Sequence, residues 1–271
     1  MTTSHPNFAG KRVLVTGASR GVGAATAKAF ARLGATAILT ARSADKLEAI
    51  AEEIRSEGGC AEVRPADLST REACRSLALA CGEVDVLINN ASETSSTFQS
   101  VLKRDDAFWD LSQALCFLAP LTLMQELVPG MIERGQGVVL NISSMAAQQP
   151  VPYRAPYSIY KGALETLSKV AGLELAAQRT GVRVNAVALG ATDTEALAES
   201  CGPDLDVRAV VEKTSPLGRA IAVEEVADFC VYLASDSAAP ILGTVLNIDG
   251  GMTAGSYSFV GSYGSADAGA N

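Results

Sequence analysis

Thr16-Gly17-Ala18-Ser19-Arg20-Gly21-Val22-Gly23 closes the apolar run Arg12–Thr16 and opens a stretch, Ala24–Leu33, with helical period. Glycine supplies the positive φ that a tight strand-to-helix turn demands. Where side chains are missing, the backbone can come close to a pyrophosphate, and the helix that follows presents free N–H groups and a partial positive charge. This is chemistry for a dinucleotide. By itself the stretch also fits an ordinary glycine-rich turn. Its spacing is Thr-Gly-x-x-x-Gly-x-Gly rather than Gly-x-Gly-x-x-Gly.

Outward from the turn, short apolar runs alternate with helical patterns. The strand candidates are Arg12–Thr16, Thr36–Thr40, Ala61–Pro65, Val84–Asn89, Gly137–Ile142, Arg183–Ala188 and Thr244–Ile248. Most are continuously apolar, as strands covered on both faces are. Helical period marks Ala24–Leu33, Ala44–Glu57, Leu111–Arg134, Pro156–Arg179 and Val223–Ala234. Strand–helix–strand repetition predicts an α/β fold: a doubly wound, seven-stranded parallel sheet of Rossmann type with helices on both faces. Residues 11–252 form the expected catalytic domain, after an N-terminal extension over 1–10. Ala191–Gly218, polar, acidic and broken by two prolines, reads as a flap. Residues 253–271, rich in Gly, Ser and Ala, read as a flexible tail. Its Tyr257, Phe259 and Tyr263 leave room for docking on a neighbouring subunit.

Composition narrows the chemistry. With 271 residues, 48% of them hydrophobic, the chain can bury a large core. A net charge of −8 argues against nucleic acid. Six cysteines form no Cys-x-x-Cys pair and read as reduced packing residues, and the only histidine is His5, so zinc sites and histidine-based triads are disfavoured. No apolar run reaches the roughly 18–20 residues a membrane span needs, and the N-terminus lacks a signal-like stretch. The expectation is a soluble, cytoplasmic chain.

An acid usually holds the ribose 2′-hydroxyl at the end of the second strand. Here that place is Ala41, followed by Arg42. With Arg20 it offers two guanidiniums suited to a 2′-phosphate, unless both are plain surface charges. Tyr157 and Lys161, four apart, share one helix face. A phenol is a poor base on its own, and a neighbouring ammonium stabilises its ionised form. Thirteen residues before Tyr157, a strand runs into Asn141-Ile142-Ser143-Ser144.

Together these motifs resemble the short-chain dehydrogenase/reductase family in its compact single-domain form, with 3-oxoacyl-acyl-carrier-protein reductase-like members as the nearest pattern. The resemblance covers about residues 8–252. It implies Ser144, Tyr157 and Lys161 as the catalytic set, with Ser143 the less favoured serine. It implies NADP as cofactor, held by Gly17, Ser19, Arg20, Gly21, Val22, Gly23, Arg42, Asp67, Leu68, Asn90, Tyr157, Lys161, Gly190, Thr192 and Thr194. The implied reaction is hydride transfer between NADPH and a carbonyl or alcohol carbon, in a homo-oligomer, tetramer or dimer. Four positions depart from the pattern: Ser92 for Gly, Leu189 for Pro, Thr192 for Ile, and Cys116 for an Asn that holds a proton-relay water. Gln113, one turn earlier, is a possible substitute for that Asn. A non-catalytic NADPH-binding regulator is the alternative, and sugar-nucleotide epimerase chemistry a more distant one. Pocket walls are expected from Glu93–Val101, Ala146–Tyr153 and Thr192–Lys213. Met145, Phe98, Val151, Tyr153 and Leu197 suggest an apolar or aromatic substrate of moderate size.

Overall fold

The apolar runs pair into a single parallel sheet. In chain order the strands are Arg12–Thr16 (β1), Thr36–Thr40 (β2), Cys60–Val63 (β3), Val86–Asn89 (β4), Gly137–Ser144 (β5), Val182–Leu189 (β6) and Val245–Ile248 (β7). Their spatial order is β3-β2-β1-β4-β5-β6-β7. This computed structural model describes residues 6–93, 98–200 and 206–255. His5, Cys201 and the tail aromatics Tyr257, Phe259 and Tyr263 lie outside the described residues, as do positions 94–97 of the expected pocket wall.

Period-two alternation sorts each strand between two cores. Val13, Val15, Leu39, Ile88 and Leu140 face one core with Phe30, Leu47, Val226 and Leu233. Leu14, Ile38, Leu87, Val139 and Val184 face the other, with Leu77, Leu123 and Met131. Both faces are therefore dry, which is why the strands read as unbroken apolar runs. Each fully buried Leu or Ile contributes about 1.5–3 kcal/mol.

The helices that cover the first face are Gly21–Arg32 (α1), Ala44–Ser56 (α2) and, last in the chain, Val223–Ala234 (α9). The second face is covered by Arg71–Cys81 (α3), Ala119–Glu133 (α5) and Ala155–Ala177 (α6), with Asp106–Gln113 (α4) leading into α5. Helix α3 is absent from the sequence reading. Its buried stripe, Cys74, Leu77, Ala78 and Cys81, is half cysteine, and Thr70 caps it by accepting from Ala73 N at 3.2 Å. The expected helix at Leu111 starts earlier, because Asp105 caps it through Phe108 N at 2.8 Å. Between α4 and α5 the backbone widens into a π turn at Ala114–Leu118, which shifts the helical register. The whole run Asp106–Glu133 is long and apolar enough to cross a membrane by length and composition, yet half of its apolar window is buried inside the fold.

Two refinements concern the chain's edges. Phe8, within the expected N-terminal extension, is buried against Phe30 edge-to-face at 4.9 Å. The flap contains two helices, Glu195–Ser200 (α7) and Val207–Thr214 (α8). A bridge between Thr192 and Ile221 ties its base.

Candidate active site

Strand order reverses between β1 and β4, so the loops leaving their carboxyl ends diverge and open a crevice. A cavity of about 660 Å³ lies there. Every cofactor and catalytic position named from the sequence lines it, except Gly23.

The floor comes from the glycine turn. Gly17 has φ of 67°, a conformation that favours glycine. Thr16 Oγ1 accepts from the backbone N of Asn90 and of Ala91 at 2.9 Å each. Asn90 Nδ2 donates to Thr16 O at 2.9 Å and to Gly17 O at 3.3 Å. Asn90 thus locks the β1 and β4 loops together as well as lining the cavity. Gly23 sits behind this floor: a Cβ there would lie 2.3 Å from Gly17 O and 2.6 Å from Asn90 Nδ2. Its task is to let α1 press onto the turn, and the cavity wall does not include it.

At one end of the cavity stand Arg42 and Lys46, both exposed, with Asp67 and the buried Leu68. Arg20 lines the same region, but its guanidinium is engaged internally. It donates to both carboxylate oxygens of Glu199 at 2.7 and 3.0 Å and to Glu195 at 3.2 Å. The hydrogen bond from Arg20 holds the Glu199 carboxyl below its ordinary range. Across the cavity, Thr194 Oγ1 donates to Thr192 O and accepts from Leu197 N, so it caps the start of α7.

Ser144 ends β5 and accepts from Ala146 N at 3.2 Å. Tyr157 and Lys161 project from α6. Lys161 is almost fully buried, and its Nζ donates to Ile142 O at 2.7 Å and lies 5.7 Å from the Tyr157 ring centroid. A buried polar ladder fixes α6 to the sheet beneath them. Asn89 donates to Asn141 at 2.8 Å, Asn141 donates to Ser168 at 2.9 Å, and Ser168 donates to Leu164 O at 2.7 Å. Ser143 faces this interior, donating to the buried Glu165 at 2.9 Å. Both serines border the cavity, but the Ser143 hydroxyl is committed to Glu165 as a bracing group.

Cys116 is buried in the π turn, its Sγ 3.2 Å from Ser92 Oγ. Gln113 does not reach the cavity wall. Of the apolar wall residues expected, Met145, Val151 and Leu197 line the cavity, whereas Phe98 and Tyr153 do not. Phe98 borders a separate shallow hollow with Arg104 and Phe108. Tyr153 turns outward, and its carbonyl accepts from Gln99 N and Arg104 Nη2. The sequence reading missed two wall cations, Lys46 and Arg154. Arg154 stands three residues before Tyr157, on the same helical face, and that spacing was the available signal.

The residues present fit a phosphorylated dinucleotide. At Gly17 a Cβ would meet Asn90 Nδ2 at 2.9 Å and Ala91 Cα at 3.0 Å, so only glycine lets the turn lie against the loop after β4 and keep its backbone on the cavity floor. Cations also stand at one end of the cavity. Among the described residues, no three potential metal ligands cluster.

Residues 17–253 match the family model described as Enoyl-(Acyl carrier protein) reductase. The gluconate 5-dehydrogenase of Gluconobacter oxydans is 34% identical over 257 residues, which cover 92% of this chain and 98% of that protein. The L-xylulose reductase of Bos taurus is 32% identical, covering 91% of this chain and 98% of its own length. Among solved structures, the L-sorbose reductase of Gluconobacter frateurii complexed with NADPH and L-sorbose superposes with a TM-score of 0.85 at 29% identity, covering 92% of this chain and 99% of that one.

Proposed function

The chain belongs to the short-chain dehydrogenase/reductase family, and we propose that it is an NADP-dependent ketone reductase whose acid–base group is Tyr157. The observation that carries this reading is that the phenol of Tyr157 and the amine of Lys161 share one cavity with Ser144 and the glycine turn. The bound dinucleotide supplies hydride to a carbonyl carbon, or accepts it from an alcohol.

The chain's own residues do the rest. Gly17, Ser19, Gly21 and Val22 form the floor, and Asp67, Leu68, Asn90, Gly190, Thr192 and Thr194 the surrounding wall. Arg42, Lys46 and Arg20 offer positive charge for a 2′-phosphate, with Arg20 exchanging its carboxylate partners for it. Ser144 Oγ and the Tyr157 hydroxyl donate to the substrate oxygen and polarise the carbonyl. Tyr157 then delivers its proton to the developing alkoxide, or removes it in the reverse direction. Lys161, tied to Ile142 O, keeps a cation beside the phenol throughout.

Relatives named as reductases and dehydrogenases favour this over a non-catalytic role. They join an anionic sugar acid, gluconate, to the neutral sugars xylulose and sorbose, so the charge of the substrate is left to the pocket wall. Exposed Ile159, Val170 and Leu173 on α6 favour assembly into a homotetramer or dimer, to be read by light scattering; a cytoplasmic location goes with the same reading. Tyr157→Phe is the direct test. Turnover should fall by about 10²–10⁴-fold while NADPH binding, followed by fluorescence, stays close to wild type. Retention of more than about a tenth of kcat would remove Tyr157 from the acid–base role.

A further inference from the structure

We propose that Arg154 is a specificity-determining residue that takes a carboxylate of the substrate, so that the preferred carbonyl compound is a keto acid. This rests on the ketone-reductase reading and adds the charge of the substrate to it.

Arg154 lies at the start of α6, and its guanidinium carbon stands 4.8 Å from the centroid of the Tyr157 ring. A cation stacked on an aromatic face is held in place by the ring's quadrupole. The group is therefore fixed beside the reacting centre and does not roam in solvent. It is half-buried and lines the cavity.

Its charge is uncommitted. Among the described residues no carboxylate comes within ion-pair distance of Arg154, whereas Arg20 in the same cavity is gripped by Glu199 and Glu195. Lys161, the other cation near Tyr157, is buried and bound to Ile142 O. Glu93 also lines the cavity, but it is buried and already engaged. A planar guanidinium matches a carboxylate through two parallel N–H···O bonds. The chain as a whole carries −8, so an anionic substrate needs a local positive charge to settle in the cleft.

The test pairs keto acids with their own methyl esters, with NADPH as reductant, and adds a neutral ketose and a sugar phosphate. In the wild type the acid should exceed its ester in kcat/KM. Arg154→Gln should lower the acid's kcat/KM about tenfold or more beyond any change in the ester's, chiefly through KM, as loss of a charged hydrogen-bond partner does. Arg154→Lys should recover part of the difference. Equal use of acid and ester by the wild type, equal losses for both in Arg154→Gln, or a preference for the phosphate would overturn the proposal. Failure of the whole panel, neutral ketose included, would count against the reductase reading instead. A second measurement then still reads Arg154: with NADP+ present, a hydroxy acid should raise the thermal midpoint of the wild type above that of Arg154→Gln, and its methyl ester should not. Identical midpoints would end the proposal.

Discussion

The floor and the roof of the cavity are built from opposite materials. The floor is held by part-buried hydrogen bonds between side chains and backbone: Thr16 and Asn90 bind the β1 and β4 loops to each other, and Gly23 fits against Gly17 with no room for a methyl group. The roof, in the described part of residues 191–218, carries exposed ion pairs, Arg20 with Glu199 and Arg208 with Asp193, above a base tied by the Thr192–Ile221 bridge. Buried hydrogen bonds are costly to break, while exposed ion pairs contribute little and exchange easily. On the proposed reading, the floor would fix where a dinucleotide lies and the ion pairs of the roof would exchange around it.

This contrast is broken most forcefully at Gly23. Gly23→Ala places a carbon within 2.3 Å of Gly17 O, and the backbone has to move. The expected cost is about 3 kcal/mol or more, at the upper end for overpacking, with loss of NADPH binding; calorimetry and a binding titration would read both. Thr16→Val comes next. It keeps the shape and removes the acceptor for two backbone N–H groups, at a cost of about 1–3 kcal/mol. Denaturant unfolding should show a lower midpoint with an unchanged slope. The smallest effect belongs to the roof. Glu199→Gln should leave the thermal midpoint nearly unmoved and tighten NADPH binding by loosening Arg20, which Glu195 alone then holds, with NADH binding unaltered; tightening of both cofactors alike would refute the exchange. Because Arg20 lowers the Glu199 carboxyl, the pair is complete above the ordinary carboxylate range and is lost as pH falls through that lowered value. The effect of the substitution should therefore persist at neutral pH.

The same division governs what the sequence makes legible. Strand positions follow from unbroken apolar runs, since burial on both faces leaves a one-dimensional trace. Tyr157 and Lys161 stand four apart, a spacing that helix geometry converts into a shared face, while Ser144 comes from the family resemblance. Other features leave no such trace. Helix α3 hides because cysteines fill half of its buried stripe, and α4 because the π turn at Ala114–Leu118 throws its apolar residues out of phase with those of α5. The internal pairing of Arg20 joins residues 175 and 179 positions apart in the chain, which no local spacing reveals. Phe98 and Tyr153 are apolar and lie in the right loops, yet their side chains point away, because a loop's direction depends on tertiary bonds such as Arg104 to the Tyr153 carbonyl.

The fit of Gly23 against Gly17 also separates inheritance of shape from inheritance of chemistry. A descendant that ceased to turn over substrate would still need both glycines to seat its first helix, and selection for folding alone would preserve them. Tyr157, a half-buried residue of the cavity wall, bears no comparable duty toward the scaffold. In a lineage sliding toward a purely structural part, that phenol is where drift would register first, long before the glycine signature faded.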